Sequence, residues 1–362
     1  MKDRENVSKI FPTPSFLGGN SLGVDISDKS VKYASLSPEN GELILNYHGR
    51  EDIPDGIVER GEIQDPEKLK EIFRKIKKKV KNEYIRAALP EEKLYLFNLS
   101  LPKMQNEEVR DAIALSLEQY VPITNVDVIF DFDFIEEKNG EMHFQVGVIP
   151  KDIIDSYLSL FEGTGFTPIS FEIEAQSIAR AVIPKTETGA VMVVDMGETR
   201  TGISIAYKGF VLFTSTVEIG SVHLDQAIMK HFNIDEKEAK RRKEKYGIRQ
   251  GMSEESNLLS AVVDTLTALR DEVNKHYIFW GSHPFDNGSE RPKIEKMIMC
   301  GGGSNLSGVT DFMSESLKMI VEKANPWVNV NSMKRYIPDM QRDDSMAYTT
   351  SFGLALADYD HD

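Results

Sequence analysis

Aspartate occupies the same local context twice in this chain, at positions 25 and 195. Val24-Asp25-Ile26-Ser27-Asp28-Lys29 and Val194-Asp195-Met196-Gly197-Glu198-Thr199 each follow an apolar strand, end it on Asp and place an acidic residue three positions on. Each then leads into a second apolar strand, 31–36 and 202–206. Tight hairpin turns aim backbone N–H groups at one point, a concavity suited to anionic oxygens. Thr199 and Thr201, with Ser27 and Ser30 opposite, add hydroxyl donors. A carboxylate beside phosphate repels it unless a divalent cation lies between. Mg²⁺ accepts one or two carboxylates and keeps several waters, so Asp25 and Asp195 are expected to hold such an ion through its water shell. Singly, each Asp reads as an ordinary turn residue; the symmetric pair favours metal holding.

A third element, Cys300-Gly301-Gly302-Gly303-Ser304, falls between an expected strand and a helix. Three glycines let the backbone approach a ligand and take positive φ. Leu306 stands where a dinucleotide fingerprint would carry its last glycine, and no Walker P-loop occurs. A phosphate site here must be of another kind.

The elements that would position these residues are legible. The two Asp motifs stand close to half the 362-residue chain apart, which predicts a duplicated α/β half and a cleft between the copies. Short apolar runs near 21–45 read as an antiparallel meander. Asp65 and Pro66 start a helix with Leu69, Ile72, Phe73, Ile76 and Val80 on one face. Its lysines, 75–81, read as a solvated face. A β-α-β-β-α unit follows, 94–166, inside the first half. A second meander begins at Ala190, a charged helix starts at Asp235, and a long helix is expected over 254–280.

The expected domains are a tail (1–19), a first half (20–92 and 169–184), an inserted subdomain (93–168), a second half (185–340), and a returning helix with its tail (341–362). The net charge of −15 argues against nucleic acid as the main partner. A single cysteine, Cys300, excludes an internal disulfide framework and fits a reducing compartment. No apolar run reaches the roughly 18 residues of a membrane span, and the first twenty residues lack a secretory h-region. A cytoplasmic protein without direct membrane insertion is expected, tethered to a membrane through a partner.

The order Val24-Asp25-Ile26, Val194-Asp195-Met196-Gly197, Cys300-Gly301-Gly302-Gly303-Ser304 and Ser351-Phe352-Gly353-Leu354-Ala355 resembles the phosphate-1, phosphate-2, adenosine and second connecting motifs of the actin-like ATPase superfamily. The phrases Leu99-Ser100-Leu101-Pro102, Leu117-Glu118-Gln119-Tyr120-Val121-Pro122 and Gly147-Val148-Ile149-Pro150 resemble PilM-type proteins more than FtsA. So does 172–181. The likeness runs over roughly 20–358.

It implies an α/β actin-like fold, with ribonuclease H-like halves around a nucleotide cleft and an inserted FtsA/PilM-type subdomain. It also implies ATP with Mg²⁺ as ligand. Carried over residue by residue, the nucleotide contacts are Ser27, Asp28, Lys29, Ser30, Lys32, Gly197, Glu198, Thr199, Arg200, Thr201, Lys240, Lys243, Gly301, Gly302, Gly303 and Ser304, with Asp25 and Asp195 at the metal. Glu174 sits where MreB carries an acidic residue that orients the attacking water; otherwise it is a first-turn glutamate favoured by the helix dipole.

The chain departs from the pattern in three places. Ser27 stands where a glycine is usual, Glu198 and Arg200 put a charged pair into the second phosphate loop, and Lys240 replaces an acidic ribose or adenine contact. These changes bear on turnover more than on binding. The function implied is an ATP-binding scaffold of type IV pilus assembly with slow or absent hydrolysis. Its partner would be the cytoplasmic N-terminal peptide of an inner-membrane PilN-like protein, with assembly motor ATPases as further partners. The alternatives are an FtsA-like division protein, which the acidic ending 357–362 opposes, and a small-molecule kinase, for which no second-pocket aspartate base stands out.

Overall fold

The computed structural model describes residues 20–39, 41–121, 127–138, 140–248, 258–285, 288–330 and 336–360. Three strands open the chain as an antiparallel meander: β1 (Leu22–Ile26), β2 (Ser30–Glu39) and β3 (Glu42–Asp52). All five residues of β1 are buried, as an apolar strand covered on both faces must be. A ribbon of β4 (Val58–Glu59) and β5 (Glu62–Ile63) leads to α1 (Pro66–Lys77). The Asp65 carboxylate accepts the Lys68 N–H at its start, and Leu69, Ile72, Phe73 and Ile76 are buried.

Next come β6 (Tyr84–Leu89), β7 (Tyr95–Pro102), α2 (Asn106–Tyr120), β8 (Val128–Lys138), β9 (Glu141–Pro150), α3 (Lys151–Phe161), β10 (Thr167–Ile173) and α4 (Glu174–Val182). The first sheet has the order β10-β6-β1-β2-β3. The second half contributes β11 (Ala190–Met196), β12 (Thr201–Tyr207), β13 (Phe210–Val217), α5 (Ser221–Phe232), α6 (Glu236–Lys245), α7 (Leu259–Ser282), β14 (Ile294–Cys300), α8 (Val309–Leu317) and β15 (Val321–Lys323). Its sheet order, β13-β12-β11-β14-β15, is the first sheet read in reverse. β1 and β11 each pair antiparallel with the next strand and parallel with a later one. That is the expected duplication. The start of the long helix expected over 254–280 lies outside the described residues as far as 257.

A three-stranded sheet, β7-β9-β8, forms the inserted unit with α2, around Leu99, Val109, Ile113, Phe144 and Val146. The sequence reading extended this unit to residue 168. Packing divides it earlier, because Tyr157, Leu160 and Phe161 of α3 join Leu69, Phe73 and Ile76 in the core of the first half. The apolar stripe of α3 was legible; which core it would fill was not. The inserted sheet also touches the second half. Asn98 donates from Nδ2 to the Leu212 carbonyl at 3.0 Å, and the Gln145 amide donates to the Val211 carbonyl, both on β13.

After β15 the chain returns through α9 (Arg342–Ser345) to α10 (Thr349–Leu356), where every residue is buried. This helix lies against β1 and α4. A Cβ on Gly353 would come within 1.7 Å of the Ser177 carbonyl oxygen, and one on Gly23 within 2.1 Å of the Ser351 carbonyl oxygen. Backbones this close shut out any side chain, and Phe352 packs at a tilt against Trp327 in a core shared by β2, β11 and β14. Gly353→Val is therefore expected to destabilise the protein by about 1–3 kcal/mol or more through overpacking. Urea unfolding measures this, and a variant as stable as the parent would contradict the close helix contact.

Candidate functional site

The two hairpins face each other across a cavity of about 710 Å³. Asp25 at the end of β1 and Asp195 near the end of β11 line it from opposite sheets, and Glu174 enters at the first turn of α4. Ser27, Asp28, Lys29, Ser30 and Lys32 come from the first hairpin, and Gly197, Glu198, Thr199 and Arg200 from the second. Lys240 and Lys243 on α6 and Gly301, Gly302 and Gly303 after β14 complete the wall. Helix α6 presents its two lysines to one side because residues three apart share a face.

Two of the expected contacts are turned away from the cavity. Thr201 is fully buried, and its hydroxyl donates to the Ile219 carbonyl at 2.5 Å. It opens β12, where alternate side chains point to opposite faces, and its face is the core. Ser304 donates to the Gly301 carbonyl at 2.7 Å, closing the glycine turn on itself. Ser27 lies at the cavity, but its hydroxyl donates to the Ser30 carbonyl at 3.0 Å and stands 3.3 Å from the Ser30 hydroxyl. The first hairpin braces itself with the groups expected to face a ligand.

Gly301 has φ +79°, and a Cβ there would meet Asp195 Oδ1 at 2.4 Å. Glycine is thus required where the turn passes the aspartate. Cys300, just before it, is buried and directs its Sγ to Asp195 Oδ1 at 3.5 Å. Burial pushes its thiol well up, as it does for a packed cysteine.

Carboxylates dominate the floor. Asp25 pairs with the partly buried Lys32 at 2.9 Å. Burial, with the Asp25 charge beside it, pushes Asp195 up to about 6. Burial, Asp25 and Glu91 push Glu174 well above the ordinary carboxyl range. Glu91 rises to about 8 through burial and its neighbours Glu92 and Asp195. Burial opposes the Lys32 charge, but the attraction of Asp25 leaves its pKa raised. Negative charge thus exceeds what nearby cations neutralise. Oxygen donors in such surplus suit a hard divalent ion, and burial first, with like-charge crowding added to it, raises these values.

The sequence reading missed Glu91 and Glu92, which line the cavity directly after β6 and Pro90. Their signal was present: an acidic pair at the end of a buried strand, the context that singled out Asp25 and Asp195. Arg50 and Asp225 line the cavity too, and Asp225 holds Lys243 at 2.7 Å. Neither has a local motif to mark it.

These raised values carry a pH dependence. A carboxyl raised above its unfolded value binds its proton more tightly in the folded state, so its stabilising contribution is complete below about pH 4.5 and fades toward higher pH. For Glu91 the loss runs up through about 8. Without added metal the melting temperature is expected to fall between pH 5 and 8, and Glu91→Gln to flatten that fall. An unchanged slope in the variant, followed by differential scanning fluorimetry, would place the titration elsewhere.

Three solved structures share the fold. The PilM-PilN type IV pilus biogenesis complex matches with a TM-score of 0.77 at 20% identity, over 95% of this chain and 100% of that one. Ethanolamine utilization protein EutJ from Carboxydothermus hydrogenoformans matches with a TM-score of 0.54 at 14% identity, over 96% and 90%. MreB 5 of Spiroplasma citri bound to AMPPNP gives 0.51 at 12%, over 92% and 94%. The actin-like fold expected from the four motifs is the one observed. The sequence profile described as type IV pilus assembly protein PilM matches residues 23–359, nearly the whole chain, and this protein belongs to that family.

Proposed function

We propose that this protein is a cytoplasmic scaffold of type IV pilus assembly that holds MgATP in its cleft and a short peptide of an inner-membrane PilN-like partner. The observation that carries the nucleotide part is the pair of matching hairpins, which set Asp25 and Asp195 on opposite walls of one cavity. Hairpin N–H groups around 27–30 and 197–200 would cradle the phosphates. Lys240 and Lys243, with the glycine turn, would flank the nucleoside. Among the described residues no three His, Cys, Asp or Glu side chains converge to cage an ion. Asp25 and Asp195 would therefore hold Mg²⁺ partly through water, as that ion prefers. Bound Mg²⁺ would offset phosphate charge beside these carboxylates. Glu174, also at the cavity, would orient a water for slow hydrolysis if it is ionised.

That MreB 5 of Spiroplasma citri shares the fold while bound to AMPPNP supports this reading. The PilN part rests on family membership and on the PilM-PilN complex of the same fold. It is favoured over the division-protein and kinase readings because the family profile spans the chain. Assembly motor ATPases would be further partners. Among the described residues no helix is long and apolar enough to cross a membrane, so the tether would be the peptide.

The inserted unit provides a path for coupling. It grows out of the first half, yet Asn98 and Gln145 donate to β13 of the second. On α4, Gln176 donates to the Gly209 carbonyl at 2.7 Å and accepts the Val211 N–H at 3.1 Å. A peptide seated on the inserted unit would feel how the halves close.

Two outcomes follow. Asp25→Ala or Asp195→Ala should weaken MgATP by about 1–3 kcal/mol, the scale of a charge-assisted contact. Titration calorimetry with and without EDTA reads this, and unchanged affinity in both variants removes the cleft model. Saturating ATP should also change the affinity of a synthetic PilN N-terminal peptide by about 5–150-fold, with the reciprocal effect on ATP. Equal peptide affinity in both states would mean that the two sites are uncoupled.

A further inference from the structure

Arg200 and Glu198, the charged pair that sets the second hairpin apart, are both engaged across the cavity mouth. Arg200 Nη2 donates to Asp28 Oδ1 at 2.9 Å, and Nη1 lies 2.5 Å from Glu92 Oε1. Both carboxylates belong to the first half, whereas Arg200 belongs to the second. Side-chain exposures are 21% for Arg200, 16% for Asp28 and 22% for Glu92, so these charges lie mostly out of bulk water. Asp28 Oδ1 also accepts the Gly61 N–H at 3.2 Å, which fixes the carboxylate in place. At the outer rim, Glu198 receives Arg50 Nη2 at 3.4 Å in a more exposed pair.

Each carboxylate takes a different nitrogen of Arg200, so neither pair has the bidentate fork that makes an arginine–carboxylate contact strong. A guanidinium shared in this way can be exchanged. A phosphate offers several anionic oxygens and accepts the same fork with two bonds. Arg200 lines the cavity between the two hairpins, where the outer phosphates of a cradled nucleotide would lie.

We propose that Arg200 is a ligand of the outer phosphates of the cleft-bound nucleotide, held in reserve by Asp28 and Glu92, which phosphate oxygens displace. This rests on the nucleotide reading above. Before binding, Arg200 ties the halves directly; afterwards the tie runs through the ligand. The two carboxylates therefore act as internal competitors for the phosphate and lower its affinity.

A binding cycle tests this, with MgATP, MgADP and AMP as probes. The double variant Asp28→Asn/Glu92→Gln should bind MgATP more tightly, by about 10-fold, because the competitors are gone. Combined with Arg200→Gln, the same two changes should gain no more than about 2-fold, since the freed ligand is absent. Arg200→Lys keeps the charge without the fork and should fall between. It also serves if Arg200→Gln does not fold, which thermal melting checks. AMP should show no dependence on Arg200. An equal gain with and without Arg200 would overturn the proposal, since only through-space relief of negative charge would then be at work. Absence of MgATP binding in every variant, the wild type included, would overturn the nucleotide reading itself and this proposal with it.

Discussion

Asp25 and Asp195 end the central strands of two different sheets, and their mutual repulsion in a low-dielectric cleft is the term that the surroundings must manage. Burial, with that repulsion added to it, raises Asp195 to about 6, and burial together with neighbouring carboxylates raises Glu174 and Glu91 as well. Lys32 answers only part of it, at 2.9 Å from Asp25. A fold that crowds buried carboxylates around one cavity costs stability unless something positive joins them. That cost is a physical reason to regard the cavity as a site.

Holding the two strands at that spacing falls to the packing behind them. Helix α10 returns from the far end of the chain and touches β1 and α4 backbone to backbone, at Gly23, Gly353 and Ser177. The apolar core with Phe352 and Trp327 then joins both sheets. Asp358, just beyond α10, accepts the Ser21 N–H and hydroxyl, both at 2.7 Å, and the Arg86 Nε at 2.9 Å, so the end of the described chain is tied to its start. The cleft has a rigid back and, through the Arg200 and Arg50 pairs, a mouth tied by ions. Buried packing resists salt and pH; ion pairs at a mouth exchange with any competing anion. The back and the mouth of the cleft are thus held by different interactions.

The inserted unit takes part in both. Its own core makes it a separate small sheet, yet its strands donate side-chain hydrogen bonds to β13 of the opposite half. It therefore bridges the two halves without lining the cavity.

Much of this was legible in the sequence, because strand ends, turn glycines, helix caps and apolar periodicity are local properties. The motif repeat exposed Asp25 and Asp195 and the halves that carry them, and the fold class came from the order of four short motifs. Facing direction was less secure. Thr201 and Ser304 stand in the right loops, but pleat alternation and a tight turn aim their hydroxyls inward. Partners distant in sequence were hidden altogether. Glu92 meets Arg200, and α3 leaves the inserted unit for the core of the first half. Such choices depend on which surfaces the folded chain brings within a few ångströms, where burial raises the strength of every charge and every unfilled space. Only the tertiary structure decides them, because no local pattern encodes a distance between residues a hundred positions apart.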